Sequence, residues 1–476
     1  MGDLEVGWAK LFELRQALAR IRRSGKPVVV YFESGPADAE YYLASAADWL
    51  VCPPVSVIAL DGLQSEATFY RRAMDKLGIG FEFERIGKHK GAVEPFSQDT
   101  LSDAAREARD AILDDVFNEL TRSIAAGRSI PVDRVIELID RGPLVSVEAK
   151  DAGLVDQIAY EDELDGIVRE KIARHAQRVD LRRLAERKYH RYAWGPIPKV
   201  AVIFAEGTIL GGADRNHLLL GEIMGARTIA GAIRAAREDR DVKAIVLRID
   251  SPGGDGIASD LIWHEAKKTI GVKPLVVSMS DVAASGGYYI ACPADSIFAA
   301  PTTITGSIGV FAGKITLAGL YDKIGVTKET STRGAHADMN SPNRPFTETE
   351  HEIVRHQVTM FYDNFLRIVA DGRRRTTEQV DSVGQGRVWT GKAAQTNGLV
   401  DALGGLPHAI SSAAQMAGIE HEDYRVSILP QAPWALLEWP SPLGIFGLRA
   451  ADLTAELSDV SNHHLWYLLP WHLVVR

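Results

Sequence analysis

From residue 198 the chain alternates between two hydrophobic patterns. "PKVAVIFAEGTI" (198–209) is a nearly continuous apolar run of strand length, and "TIAGAIRAAREDRD" (228–241) spaces its apolar residues at three and four, as a helix does. "VKAIVLRIDSPGG" (242–254) is again a buried-strand pattern, ended by a proline and two glycines. "DGIASDLIWHEAKKTI" (255–270) is helical, and "KPLVVSMS" (273–280) is the next strand. Strands that alternate with helices predict a parallel sheet, so the fold class expected is α/β.

The same pattern occurs earlier in the chain. "KPVVVYFESGPADAEYYLASAADWLVCPPVSVIALDG" (26–62) aligns without a gap, at an offset of 247, with "KPLVVSMSDVAASGGYYIACPADSIFAAPTTITGSIG" (273–309), with 12 identities in 37. Unrelated segments of average composition would share about two or three. "SVEAKDAGLVD" (146–156) likewise parallels "TGKAAQTNGLVD" (390–401). The chain therefore carries two copies of one unit. We place the N-terminal repeat at 1–171, a charged, proline-ended connector at 172–197, the C-terminal repeat at 198–425 and a Trp- and Leu-rich tail at 426–476. Met1 corresponds to Arg248, so the first repeat is expected to lack its N-terminal strands. Either about 50 residues were lost, or the sequence is a truncated copy of a longer chain.

Composition narrows the classes. The 476 residues suit two or three domains, and 46% hydrophobic with 25% charged residues is ordinary for a globular protein. A net charge of −9 argues against nucleic acid as the main partner. Two cysteines, Cys52 and Cys292, form neither a disulfide framework nor a metal motif; they are read as two buried thiols, with one disulfide as the alternative. No apolar run reaches the roughly 20 residues of a membrane span, and the start lacks the layout of a secretion signal. The tail is expected to pack on its own protein or on a neighbouring subunit, with a membrane surface as the alternative.

The candidate chemistry centres on Ser285 in "DVAASGGYYIA". It follows a strand and a tight turn and opens a helix, a placement that exposes a hydroxyl and aims backbone N–H groups at it. Gly253 and Gly254 end the preceding strand at the same sheet edge, where ligands of parallel sheets bind and where amides can hold an oxyanion. Taken singly, these glycines read as turn formers and the small-residue helix as tight packing; their coincidence at one edge favours a site. A nucleophilic serine needs a base. "HEIVRH" spaces His351 and His356 by five, which turns a helix by about 500° and points the rings apart; both are read as surface residues, and His264 lies well down a helix. The repeat offers Lys90. In "GKHKGAVEPF" (87–96) it faces Ala337 of "RGAHADMNSP" (333–342), while Ser285 faces Asp38. One copy has lysine without serine and the other has serine without lysine, as halves of a split site. The amine acts as a base only when neutral, which burial would achieve. Ser307 in "TITGSIG", 22 residues after Ser285, is the candidate to hold and orient the amine; the alternative is a turn residue between glycines.

"KGAVEPF" and "AASGGYYIA" make this chain resemble the signal peptide peptidase A family in its long two-repeat form, the protease IV type of Ser-Lys peptidase. The resemblance runs from about residue 8 to 425. It implies a fold like that of Clp proteases and crotonases in each repeat. It implies Ser285 as nucleophile, Lys90 as general base, Ser307 as the residue that positions the lysine, and Gly253, Gly254 and Gly286 as the oxyanion hole. It further implies no metal or organic cofactor, peptide substrates left from exported proteins, a homotetramer and action at the outer face of the cytoplasmic membrane. Members of that family begin with a membrane anchor and a complete first repeat, and this sequence is expected to lack both. Two rival readings are a crotonase-type acyl-CoA enzyme, which shares the fold and needs no nucleophilic serine, and a catalytically inactive scaffold.

Overall fold

The structure, a computed structural model, describes residues 4, 6–172, 174–175, 178–180, 197–217, 221–419, 424–430 and 465–468. Most of the connector, and the tail apart from two short strands, lie outside the described residues. The chain divides into two compact units, Met1–Ser65 with Leu113–Ile197 and Val474–Arg476, and Glu66–Ile112 with Pro198–Leu473. The repeats and the units are thus divided differently: the segment that holds Lys90 belongs to the first copy by repeat and to the second unit by packing.

In the first unit, Val29–Tyr31, Trp49–Cys52 and Gln157–Ile158 form a three-stranded parallel sheet, and Val57–Ile58 pairs antiparallel with Leu144–Val145. Helices Trp8–Arg23, Asp38–Ala44 and Val132–Arg141 supply apolar residues to its core, among them Leu11, Tyr41, Tyr42 and Leu138. Each fully buried side chain of that size contributes about 1.5–3 kcal/mol. Cys52 is buried and free, as is Cys292 of the second unit.

The second unit contains the predicted parallel sheet. Lys199–Glu206, Val242–Ser251, Leu275–Ala284 and Ile304–Gly306 lie side by side and parallel. Helices Ala226–Glu238 and Gly256–Thr269 fall within three residues of the spans expected from periodicity. The strands read as continuous apolar runs because both faces are covered: Ala201, Ile203, Ile245 and Leu247 join one core cluster, and Val200, Val202, Ala244 and Val246 another. The strand at 275 continues to Ala284, four residues beyond the expected span, and so delivers Ser285 at its end.

A second sheet in this unit runs in the order Gly80–Ile86, Val310–Thr316, Leu465–Leu468, Gly253–Asp255, Thr208–Leu210, Gly221–Gly225 and Arg215–His217. Gly80–Ile86 pairs antiparallel with Val310–Thr316 along its whole length, from Gly80↔Thr316 to Ile86↔Val310. This ladder carries the segment after Ile86 to the end of the serine sheet. No helix among the described residues is long and apolar enough to cross a membrane.

Candidate active site

Ser285 sits between the strand Leu275–Ala284 and the helix Gly286–Ala291, with φ 55° and ψ −113°. A positive φ is costly for a residue with a Cβ and persists only where its surroundings hold it. Here the Ser285 amide donates to Gly306 O at 2.8 Å, and Ser285 O accepts from the Tyr289 amide at 2.8 Å. Ser307 also has positive φ, 53°, and its amide donates to Arg387 O at 2.7 Å. Both serines are fully buried.

Lys90 follows the strand Gly80–Ile86 through a turn, and its side chain is fully buried. Its Nζ lies 2.8 Å from Ser285 Oγ, 3.1 Å from Ser307 Oγ and 3.3 Å from Ser307 O. Burial pushes the amine well below the usual lysine range, because the charged form loses its hydration. The three residues expected from the sequence to form one site therefore come together within hydrogen-bond reach. Lys88, two residues away, is exposed.

The glycine pair lies against the start of the serine helix. A Cβ placed on Gly286 would be 3.2 Å from Gly253 Cα and from Gly254 N. Gly254 has φ 159°, and a Cβ there would fall 2.0 Å from Ile209 O, so no larger residue fits. The Gly253 amide donates to Ser251 Oγ at 3.1 Å. With its amide bonded to Ser251 Oγ, Gly253 does not offer it to an oxyanion as expected from the sequence, while Gly286 lies beside Gly254. Asp255 completes the turn by capping the next helix, accepting from the Ala258 amide at 2.7 Å.

Two outcomes differ from expectation. His351 is not a plain surface residue: it is half-buried, with Nδ1 2.9 Å from Glu84 Oε1 and Nε2 3.1 Å from Glu82 Oε2. The strand that leads to Lys90 supplies both carboxylates, a pairing invisible to helical spacing. His356 is exposed, as expected, and so is His264. The second difference is the turn at Gln385–Gly386, which carries no distinguishing signal in the sequence. Gln385 O accepts from the His89 amide at 2.9 Å, so this turn touches the lysine segment directly. "GQG" at 384–386 is ordinary turn punctuation, and only its packing partner distinguishes it.

Comparison with known proteins bears on the family. The profile of Peptidase family S49 matches residues 20–173 and 267–420. This chain belongs to peptidase family S49. The chain is 36% identical over 423 residues to "Serine protease SPPA, chloroplastic" of Arabidopsis thaliana, covering 87% of this chain and 62% of that protein. It is 35% identical over 488 residues to "Protease 4" of Salmonella typhi, covering 95% of this chain and 77% of that protein. A shorter match, 35% over 215 residues, is to "Putative signal peptide peptidase SppA" of Enterococcus faecium, covering 45% of this chain and 62% of that one. The two S49 matches are 247 residues apart, the offset of the repeat seen in the sequence, so the tandem α/β architecture stands.

Proposed function

We propose that this chain is a serine endopeptidase with a Ser-Lys dyad, and that it degrades signal peptide remnants and other hydrophobic peptides at a membrane surface. The observation that carries the proposal is the 2.8 Å approach of a fully buried Lys90 amine to a strained, fully buried Ser285 hydroxyl. The family supports the peptidase class, and the names of the relatives support the substrate class.

The chemistry follows from the residue types. Neutral Lys90 removes the Ser285 proton as Oγ bonds to a peptide carbonyl carbon. The Gly254 and Gly286 amides donate to the resulting oxyanion. As the tetrahedral species collapses, the C–N bond breaks and Lys90 passes its proton to the departing amine. A water then attacks the acyl-enzyme as Lys90 takes its proton; the second tetrahedral species collapses with cleavage of the bond to Ser285 Oγ, Lys90 returns the proton to that oxygen, and the acid leaves. Ser307 Oγ holds the amine in line throughout. An extended substrate is supported by the chain itself. Its strand Leu465–Leu468 runs antiparallel to Gly253–Asp255, with Gly254 opposite Tyr467, and antiparallel to Val310–Thr316 on the other side. A peptide in that slot passes beside Gly254. By family resemblance, the assembled form is a homotetramer.

The rival acyl-CoA reading gives the buried lysine nothing to do, and the scaffold reading leaves the strain at Ser285 without use. The test is incubation of the purified chain with a hydrophobic peptide and an unfolded protein, with the fragments identified by mass spectrometry. Cleavage by the parent chain and none by Ser285→Ala is the expected result. Cleavage that survives Ser285→Ala, or an inert parent chain, overturns the proposal.

A further inference from the structure

The turn Gly384–Arg387 is bonded to the segments that carry Lys90 and Ser307. Its Gln385 O accepts from the His89 amide at 2.9 Å, next to the lysine. Its Gly386 amide donates to Ile308 O at 2.7 Å, and its Arg387 O accepts from the Ser307 amide at 2.7 Å. Three consecutive residues thus reach the lysine segment once and the Ser307 segment twice. Gln385 has φ 52° and Gly386 φ 75°, so the turn is itself held in a left-handed conformation.

Three glycines meet at this junction. A Cβ on Gly386 would come within 2.6 Å of Lys90 N and 2.7 Å of Lys90 Cα and Cβ. A Cβ on Gly87 would approach Gln385 O to 2.6 Å, and one on Gly309 would approach Gly386 Cα to 2.8 Å. Contacts so close to backbone atoms leave no flexible side chain to give way, so backbone rests on backbone. The turn is held from behind as well. Tyr362, buried on the helix Glu348–Arg373, accepts from the Gln385 amide at 3.2 Å and donates its hydroxyl to Asp381. Asp381 also accepts from the Gln385 side-chain amide, and Trp389 Nε1 donates to Val383 O at 2.8 Å.

We propose that Gly386, backed by Tyr362, is a positioning element that fixes the Lys90 amine against Ser285 and Ser307. Gly386 and Tyr362 touch no reacting atom; they act through the lysine backbone. This inference rests on the Ser-Lys reading above. If the turn shifts, the amine moves away from Ser285 and water gains access to it. Both reduce the rate, and access to water returns the lysine toward its ordinary pKa. The acidic limb of the pH profile, which reports deprotonation of the base, then moves to higher pH.

The test compares pH profiles of kcat/KM for peptide cleavage by the full chain and by Gly386→Ala, Tyr362→Phe and Lys90→Met, with far-ultraviolet circular dichroism to confirm folding. Gly386→Ala combines a strained φ with a collision at Lys90, and a displacement of about 1 Å can cost about 100-fold in rate. A loss of about that size in kcat/KM, carried by kcat rather than KM, with the acidic limb displaced upward, is expected. Tyr362→Phe adds no volume and is expected to give a smaller loss with the limb displaced in the same direction; if Gly386→Ala fails to fold, this variant decides. A folded Gly386→Ala or a Tyr362→Phe whose limb stays in place overturns the positioning role. Lys90→Met separates the two claims: if it is inactive while the limb does not move in the others, only the positioning role fails. If Lys90→Met retains turnover, the dyad itself fails and the positioning role with it.

Discussion

In the first repeat Tyr41 donates its hydroxyl to Leu154 O at 2.7 Å, and in the second Tyr288 donates to Leu399 O at 2.8 Å. Asp48 accepts from the Val28 amide at 2.8 Å, and its counterpart Asp295 from the Leu275 amide at 2.9 Å. Asp156 accepts from the Leu50 amide at 2.7 Å and pairs with Arg128; Asp401 accepts from the Ile297 amide at 2.8 Å and pairs with Arg373. These three sets of bonds are therefore shared by the two copies. The chemistry is not. Where the second copy has Ser285, beside a lysine amine, the first has Asp38, buried and close to a second carboxyl, that of Asp61. Burial, and then the Asp61 charge, push Asp38 up to about 7. A scaffold can keep its hydrogen bonds while its catalytic position drifts, because the two depend on different residues.

The largest effects belong to the catalytic side of this contrast. Ser285→Ala and Lys90→Met are each expected to lower kcat by about 10⁴-fold or more, since in the proposed dyad nucleophile and base act as a unit. Adding Asp38→Ser to Ser285→Ala is expected to restore nothing in the same peptide assay, because the second copy has Ala337 where the first has Lys90. Recovered turnover would show that the two copies are chemically interchangeable.

Stability is expected to respond in the opposite sense. Lys90 has a lowered pKa in the folded state, so the unfolded chain binds the extra proton and folding is penalised at every pH below the ordinary lysine value. Lys90→Met removes that penalty, and its denaturation midpoint at neutral pH is expected to rise. Asp38 is the mirror case. Its raised pKa means that the folded state holds the proton, so stability falls as pH rises from the ordinary aspartate value, about 3.9, through about 7. Asp38→Asn is expected to stabilise the chain more at pH 8 than at pH 5, and urea titrations at the two values measure the difference. Equal shifts at both pH values would remove Asp38 from the account.

The smallest effects test the shared scaffold. Tyr41→Phe and Tyr288→Phe each delete one buried hydroxyl and leave a carbonyl without its donor, at a cost of about 1–3 kcal/mol. Similar losses in urea titrations are expected from the two, in keeping with their matched geometry.

Much of this was legible in the chain. The parallel strands at 199, 242 and 275 were visible as apolar runs, and Ser285 stood out among small residues. Lys90 was legible only through the repeat, as the group one copy kept and the other lost. What remained hidden was long-range pairing. No local pattern says that Gly80–Ile86 will pair with Val310–Thr316, since an antiparallel ladder is chosen by the partner as much as by the strand. For the same reason the His351 bridge to Glu82 and Glu84 was missed. The turn at Gly386 was hidden differently: its sequence is that of any tight turn, and its importance lies in what rests against it.

The central claim is that a buried, uncharged Lys90 activates Ser285. Its most direct test is the rate at which a serine-directed phosphonate modifies Ser285 as a function of pH, with the site of modification mapped by mass spectrometry. The expected profile rises through an apparent pKa well below that of an ordinary lysine in the parent chain, and modification nearly vanishes in Lys90→Met. Equal labelling of Ser285 in the parent chain and in Lys90→Met across the pH range would contradict the claim.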